Sequence, residues 1–495
     1  MKKLPIGIAN FERMIRNGYV YVDKTRWIYK MVSEGMFYFL SRPRRFGKTL
    51  LVSTLAHLFS GHRELFEGLW IAEAEWDWTA HPILKLDMSE LEHQNADILR
   101  QALLQKLQGI GQQEGIALPP NLLRNAFSEL IIGLARKYNQ SVVVLIDEYD
   151  QPLISHLGKG EQELEIAKQN REVLRDFFGV LKGGNVNDVL EFVFLTGISK
   201  FSQVSIFSEL NNLNDLTMHP QYGEILGYTQ EEVERYFPEY IQRMAQTTNQ
   251  TPQNVLNGLR EWYNGYRFTR QEIQVYNPFS ILKALDRQEF SVYWFETATP
   301  AFLVNLIKER NYPVVDLECL QIPESFFTTY DLERLQLEPL LFQTGYLTIQ
   351  KYDGLLYELG YPNSEVKKSF TEFLYNELVP ISDSSVKLQY NLLPKYLQKR
   401  DLKNFVQTVN SILSSIPYVH IQGQDEHYYH TVFYLMLTAG GISVHTEVLT
   451  SRGRMDMAVE TGDTVYVIEL KCNQSAAEAL TQIKQRGYAD RYRGS

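Results

Sequence analysis

Apolar positions along the chain come in two rhythms. Met36–Leu40 and the β-branched run Ser141-Val-Val-Val-Leu-Ile146 have no polar interruption, as expected of strands buried on both faces. Pro82–Met88 and Glu191–Ile198 read as two further strands. Between them the period changes: in Leu50–Phe59 the residues Leu51, Leu55 and Leu58 recur at helical spacing. A long helical region follows the second strand to about Tyr138, and another helix covers Glu161–Leu181. Phe11–Gly18 and Lys24–Glu34 read as short helices flanking Tyr19–Asp23. Strands alternating with helices in this way predict a parallel α/β sheet with helices on both faces.

The pattern then becomes more helical. Gly227–Tyr240 and Thr251–Trp262, with Thr251 as N-cap before Pro252, open a helical lid and middle region. Residues from about 280 to 420 are mixed and read as mostly helical. The segments Asp425–Ala439, Gly441–Leu449, Arg454–Val459, Thr464–Lys471 and Ala476–Tyr488 read α, β, β, β, α, a small C-terminal α/β domain. The expected domains are therefore residues 1–225, 226–385 and 386–495.

Composition narrows the class. The 495 residues are 44% hydrophobic and 13% aromatic, enough for several cores. Two cysteines, Cys319 and Cys472, are too few for a disulfide framework or a zinc site, as expected of a reducing cytoplasm. No apolar run reaches the roughly 18 residues that span a membrane. Asn10, Glu12, Arg13 and Arg16 interrupt the start too early for a signal peptide. The net charge of −10 argues against a chain coated with nucleic acid. Residues 386–495, however, hold 12 Lys/Arg against 10 Asp/Glu, so a local basic site there stays open.

The first candidate chemistry follows the first strand, in Arg42-Pro43-Arg44-Arg45-Phe46-Gly47-Lys48-Thr49-Leu50. Strand, loop, Gly-Lys-Thr and helix is an arrangement that binds a nucleotide phosphate through backbone N–H groups at a helix N-terminus. Lys48 would reach the β- and γ-phosphates and the Thr49 hydroxyl would ligate Mg²⁺. The general pattern has a glycine five positions before Gly47, where this chain has Arg42. Asp147 and Glu148 end the buried strand Ser141–Ile146, so both motifs face one crevice at the carboxyl ends of the strands. Asp147 would hold Mg²⁺ through water, and Glu148 would polarise the attacking water. Thr196, or else Ser199, would sense the γ-phosphate, and Arg267 is more readily a structural arginine stacked on neighbouring aromatics. The lead-in before the first strand is either a packing arm or a wall for adenine.

Six motifs then stand in order: Tyr21-Val-Asp-Lys-Thr25, Arg42-Pro-Arg-Arg-Phe-Gly-Lys-Thr49, Leu145-Ile-Asp-Glu-Tyr-Asp150, Leu195-Thr-Gly-Ile-Ser-Lys200, Trp262-Tyr-Asn-Gly-Tyr266 and Tyr276-Asn-Pro-Phe-Ser280. This series resembles the bacterial AAA-ATPase-like proteins that carry a C-terminal PD-(D/E)XK nuclease-like domain. The resemblance implies an ATP-binding P-loop domain in which Arg42 belongs to the family's own form of the loop, placing positive charge near the phosphates. Relatives of P-loop ATPases often form rings, so a homo-oligomer is a further expectation. Arg44 and Arg45 are the candidate inter-subunit arginines only through their nearness to the loop.

The second candidate chemistry is legible without the resemblance. Gly462-Asp463 is a plausible two-residue hairpin turn, and it sets Asp456 opposite Glu469, with Cβ atoms about 4.5–5.5 Å apart. Lys471, two residues beyond, shares their face. Glu447 on the preceding strand falls on the same face by parity. Carboxylates converging with one lysine suit Mg²⁺, or Mn²⁺, with Asp456 and Glu469 as ligands and Lys471 orienting the attacking water. Glu426 would add a carboxylate and Gln482 would position a phosphate or water. The bland alternative is a surface hairpin with cross-strand ion pairs. The series Glu426, Gly453-Arg-Met-Asp456, Glu469-Leu-Lys471 and Gln482 resembles the restriction-endonuclease-like PD-(D/E)XK core, whose usual last strand has no residues left before Ser495. Such a core is expected to be truncated or incomplete.

The leading expectation is an ATP-hydrolysing protein coupled to an Mg²⁺-dependent nuclease-like domain acting on nucleic acid, with DNA as the favoured partner. The alternatives are a nucleotide-dependent regulatory scaffold whose nuclease-like domain serves only for interaction, and a nuclease whose nucleotide site turns over slowly. A helicase-like motor is disfavoured because no basic aromatic strand-tracking stretch is present.

Overall fold

The computed structural model describes residues 1–200, 212–295, 301–309, 312, 314–327, 336–417, 426–450, 453–471 and 474–492, without the side chains of 301, 309, 426–427, 447–450, 453–454 and 491. Cys472 lies outside them. The chain divides into two units, one of Met1–Asn305 with Leu320–Asn363, the other of Leu306–Cys319 with Ser364–Ser495.

The first unit is built on a parallel sheet of β1 (Phe37–Ser41), β2 (Ile83–Asp87), β3 (Val142–Asp147), β4 (Leu190–Gly197) and β5 (Asn214–Asp215). Among the described residues the strand order is β2-β3-β4-β1-β5, and every pair is parallel. Every residue of β1 and of β3 is buried, as their uninterrupted apolar runs require. The two strands that carry the candidate phosphate loop and the acidic pair do not touch. β4 lies between them, so its carboxyl end adjoins both.

The long helical region before β3 is two helices, Ala96–Glu114 and Leu123–Tyr138. Asn95 caps the first by accepting from the Ile98 N–H, and Gly115 ends it in a left-handed turn. The lid helices Gln230–Tyr236, Pro238–Thr248, Pro252–Tyr263 and Pro278–Arg287 enclose a core that includes Val233, Phe237, Met244, Leu259 and Leu285. Thr251 caps Pro252–Tyr263 as expected. Val20 and Val22 of the N-terminal arm enter the same core.

Residues 280–420 are mixed and mostly helical, as expected, and they also hold a small sheet that the sequence did not disclose. β6 (Leu320–Pro323), β7 (Thr348–Tyr352) and β8 (Leu356–Gly360) form an antiparallel sheet in the order β6-β8-β7. Its strands are four or five residues long, too short for period-2 alternation to stand out, and β6 joins from a distance in sequence. The second unit has the expected meander of β9 (Ser443–Thr450), β10 (Gly453–Thr461) and β11 (Thr464–Ile468) with helices Glu426–Ala439 and Ala476–Arg486. Met455, Ala458 and Tyr488 form part of its core.

Arg42 departs from expectation. Its side chain is 1% exposed and runs into the interior. Nη1 donates to the carbonyls of Ser41 (2.9 Å) and Thr217 (2.8 Å), Nη2 to that of Tyr222 (3.1 Å), and the guanidinium stacks 4.2 Å from the Phe268 ring centroid. Its planar fork of donors ties β1 to the segment after β5, which a glycine would leave unjoined. Phe46 packs edge-on against Tyr266 and Phe268, so the loop and the Trp262–Phe268 segment share one aromatic core. Pro43 lies against Gly345.

Arg42→Ala takes a donor from three interior carbonyls, of which that of Tyr222 keeps a long bond from the Ile225 N–H at 3.4 Å. It is expected to lower the stability of the first unit by at least about 2 kcal/mol, since a buried acceptor left unpaired costs roughly 1–3 kcal/mol. Arg42→Lys, which keeps the charge without the fork, should recover less than half. Urea unfolding checks both, and a loss below about 1 kcal/mol for the alanine variant would refute the bracing role.

Candidate active sites

At the end of β1 the chain turns through Arg44–Gly47 into the helix Lys48–Phe59. Gly47 has φ +96°, open to glycine at no steric cost, and this turn starts the helix directly at Lys48. Arg45 is also left-handed, at φ +67°, and its guanidinium lies 5.0 Å from the Phe279 ring centroid. Trp294, fully buried, holds the loop from behind by donating Nε1–H to the Arg44 carbonyl at 3.1 Å.

Lys48 is 4% exposed. Its ammonium donates to the carbonyls of Arg42 (3.1 Å) and Pro43 (3.3 Å) and lies 3.7 Å from Glu148 Oε1. These are the oxygens an entering phosphate would supplement or replace. The Thr49 side chain lies beside Asp147 and acts to hold its carboxyl down. Asp147 is fully buried; Oδ1 accepts from the Glu148 N–H at 3.0 Å, while Oδ2 has no partner. Burial, then the neighbouring Glu148 charge, pushes the Asp147 carboxyl up to about 6. A buried carboxylate oxygen without a donor beside a threonine hydroxyl fits a Mg²⁺ site, because that ion takes a few protein oxygens and keeps waters and phosphates for the rest.

The loop borders a cavity of about 500 Å³, within the range of small-molecule sites. One wall is the N-terminal arm with Ile6, Gly7 and Val22; the other is the lid with Leu226, Tyr228 and Phe279. Arg44 to Leu50 and Glu148 line the phosphate end, whereas Arg42, Pro43, Asp147 and Thr196 do not reach the surface of the cavity. The arm is clasped to the lid by Lys24, whose ammonium contacts both Glu232 carboxylate oxygens at 2.6 Å. Burial pulls the Lys24 ammonium below its ordinary range, and Glu232 opposes that shift. Asp23 accepts from the N–H groups of Thr25 and Trp70, which explains the rest of the Tyr21–Thr25 motif.

Three residues sit elsewhere than the sequence suggests. Thr196 Oγ1 donates to the Leu40 carbonyl at 2.7 Å, and Ser199 Oγ donates to Asp150 at 2.6 Å, so both candidate phosphate sensors are engaged within the protein. Arg267 is structural, but its guanidinium serves the carbonyls of Thr269, Arg270 and Gln350 rather than an aromatic stack. Asp87, Ser89, Lys24 and Gln151 line the cavity without having been singled out. For Asp87 the signal was available: an acid ending a strand, in register with Asp147.

In the second unit the β10–β11 register pairs Thr461 with Thr464 and Met457 with Ile468, and continued one residue past the Met457–Ile468 pair it brings Asp456 towards Glu469. Asp456 Oδ2 accepts from the Leu470 N–H at 2.8 Å. The Glu469 side chain is 1% exposed; Oε1 lies 2.9 Å from Lys471 Nζ and accepts from Gln482 Nε2, while Oε2 is buried without a partner. Burial pushes the Glu469 carboxyl upward, Lys471 draws it back and the Asp456 charge adds to the rise. The orphaned Oε2 beside Asp456 fits a divalent cation held by oxygen ligands. Gln482 also donates to the Tyr488 hydroxyl at 3.4 Å. His430, missed in the sequence because it lies in an apolar helical run, faces the Asp456 carbonyl at 3.4 Å. Glu426 opens that helix and Glu447 falls opposite Asp456 in the β9–β10 register, but both side chains lie outside those described.

Residues 5–207 match the family described as predicted AAA-ATPase, and residues 424–495 match the PD-(D/E)XK nuclease superfamily. A relative from Azotobacter chroococcum mcd 1, described as an uncharacterized protein in the vnfD 5′ region, is 38% identical over 505 residues, covering 99% of this chain and 94% of its own length. The chain belongs to the family of predicted AAA-ATPases that carry a C-terminal domain of the PD-(D/E)XK nuclease superfamily.

Proposed function

We propose that the first unit binds and hydrolyses ATP and that the second is an Mg²⁺- or Mn²⁺-dependent phosphodiesterase acting on nucleic acid, DNA in the first instance. The observation that carries the first part is the convergence of Lys48, Thr49 and Glu148 at one end of a cavity sized for a nucleoside, with Asp147 buried beside Thr49. The apolar walls from the arm and lid would receive the base. Lys48 and the N–H groups opening the helix Lys48–Phe59 neutralise the phosphates. Thr49 and Asp147 would hold Mg²⁺, which when bound supplies charge neutralisation across the phosphates. Glu148, partly exposed beside Lys48, accepts a proton from the attacking water.

In the second unit Asp456 and Glu469 would hold a divalent ion, which when bound lowers the pKa of a coordinated water. Lys471 orients that water and offsets charge gathering on the phosphate. Gln482 fixes the Glu469 carboxylate from the helix side. Coupling between ATP turnover and cleavage is part of the reading, as are a cytoplasmic setting and self-association. No helix among the described residues is long and apolar enough to cross a membrane.

Lys48→Ala is expected to abolish ATP binding measured by titration of a fluorescent analogue. Glu148→Gln should bind it with near-normal affinity while turnover falls at least about a hundredfold, the lower range for losing a positioned base. Equal turnover by Glu148→Gln and the unmodified chain would assign the hydrolytic role elsewhere.

Circular and linear DNA incubated with Mg²⁺ or Mn²⁺, with and without ATP, should be cut by the unmodified chain and not by Glu469→Ala or Asp456→Ala. Cutting that survives both variants refutes this site. Absence of cutting under every condition, with ATP turnover intact, would favour the scaffold reading. Lys48→Ala leaving cleavage unchanged at saturating ATP would sever the two activities.

A further inference from the structure

The turn after β3 contains a second acid that the ATPase chemistry does not use. Asp150 is fully buried. Its carboxylate accepts from the Ile198 N–H at 3.1 Å, the Ser199 N–H at 2.7 Å and the Ser199 hydroxyl at 2.6 Å. Tyr149 makes two more links to the same segment, from its N–H to the Thr196 carbonyl (3.1 Å) and from its hydroxyl to the Ser199 carbonyl (2.8 Å). All five cross from the exit of β3 to the exit of β4. The β3–β4 register itself reaches only Ile146 and Leu195. Beyond that point side chains continue what the backbone ladder no longer provides.

Glu148 stands inside this stitched junction. Its φ is +48°, in the left-handed region that a residue with a Cβ avoids unless its surroundings impose it. Bonds on both sides impose it here: the Glu148 N–H is taken by Asp147 Oδ1, and residues 149 and 150 are fixed to β4. In that conformation the Glu148 carboxylate sits 3.7 Å from the Lys48 ammonium. Gly197 lets the two turns meet, since a Cβ there would lie 2.7 Å from the Tyr149 ring and closer still to Asp150.

We propose that Asp150 is the positioning residue of the hydrolytic site, holding Glu148 in its left-handed turn by tying the exit of β3 to Ile198 and Ser199. A carboxylate suits the task because it only accepts and can take all three donors. All three bonds end on Oδ2, so the corresponding amide, with its oxygen there, would set its NH₂ against the Ile198 N–H that now lies 3.3 Å from Oδ1 and would lose the charge that strengthens the remaining bonds. Ser199 is thereby assigned to the strap rather than to the phosphate.

The inference rests on the ATP-hydrolysis reading, and a double-mutant cycle separates the two. ATP turnover and ATP-analogue affinity are measured for the unmodified chain, Asp150→Asn, Ser199→Ala, Glu148→Gln and the pairs of each with Glu148→Gln. Ser199→Ala removes one donor only and serves if Asp150→Asn does not fold. Either strap variant is expected to lower kcat about tenfold or more, short of the roughly hundredfold that a full 1 Å misplacement of an aligned group can cost, with analogue affinity nearly unchanged. In the Glu148→Gln background the same change should cost no further turnover, because it acts through Glu148. Unchanged kcat, a matching loss of affinity, or an equal fractional loss in both backgrounds overturns the assignment. Absence of turnover by the unmodified chain removes the ATPase reading itself, and the inference with it.

Discussion

An ammonium buried where a sheet ends is expensive unless oxygen surrounds it. Lys48 meets that constraint with two loop carbonyls and one carboxylate, and much of the first unit is arranged to present them. The carbonyls come from Arg42 and Pro43, so the loop must fold back over its own helix. That fold is kept by Trp294 on the Arg44 carbonyl and by Phe46 in the Tyr266–Phe268 aromatic core. The carboxylate comes from Glu148, so the exit of β3 must stand close to the loop even though β4 separates their strands. Sheet order therefore dictates the need for the cross-strand ties at residues 149, 150 and 199.

Much of this was legible beforehand. Uninterrupted apolar blocks marked β1 and β3, and the spacing of Leu51, Leu55 and Leu58 marked the helix after the loop. Counting across Gly462-Asp463 set Asp456 against Glu469, a strict consequence of antiparallel register. What escaped depended on where long side chains end. Nothing in the one-dimensional pattern says that the Arg42 fork turns inward to three carbonyls, or that the Thr196 hydroxyl crosses to Leu40. Short strands such as β6 escaped because four residues carry too little periodicity, whereas Asp87 was overlooked although an acid at the end of a strand could have marked it.

The two candidate sites share a physical motif despite their different folds. In each, one carboxylate oxygen is buried with no donor, Asp147 Oδ2 in one and Glu469 Oε2 in the other, while its twin is bonded to the protein. A half-satisfied carboxylate is costly as a structural device and suited to a ligand that brings positive charge. The lysines differ. Lys48 faces the carbonyls of its own loop, whereas Lys471 is bound directly to the acid it accompanies.

The clasp between Lys24 and Glu232 has a mechanical meaning for the cavity. Val20 and Val22 are packed in the lid's own core, and the ion pair fastens the arm again one turn of chain later. Arm and lid are consequently fastened to each other at the edge of the cavity whose two walls they form. The same arm is anchored on the other side as well, by the Phe11 N–H on the Ser53 hydroxyl of the helix after the loop and by the Trp70 N–H on Asp23, so the first two dozen residues are a crosspiece joining lid and loop helix around the cavity rather than a tail leading up to it.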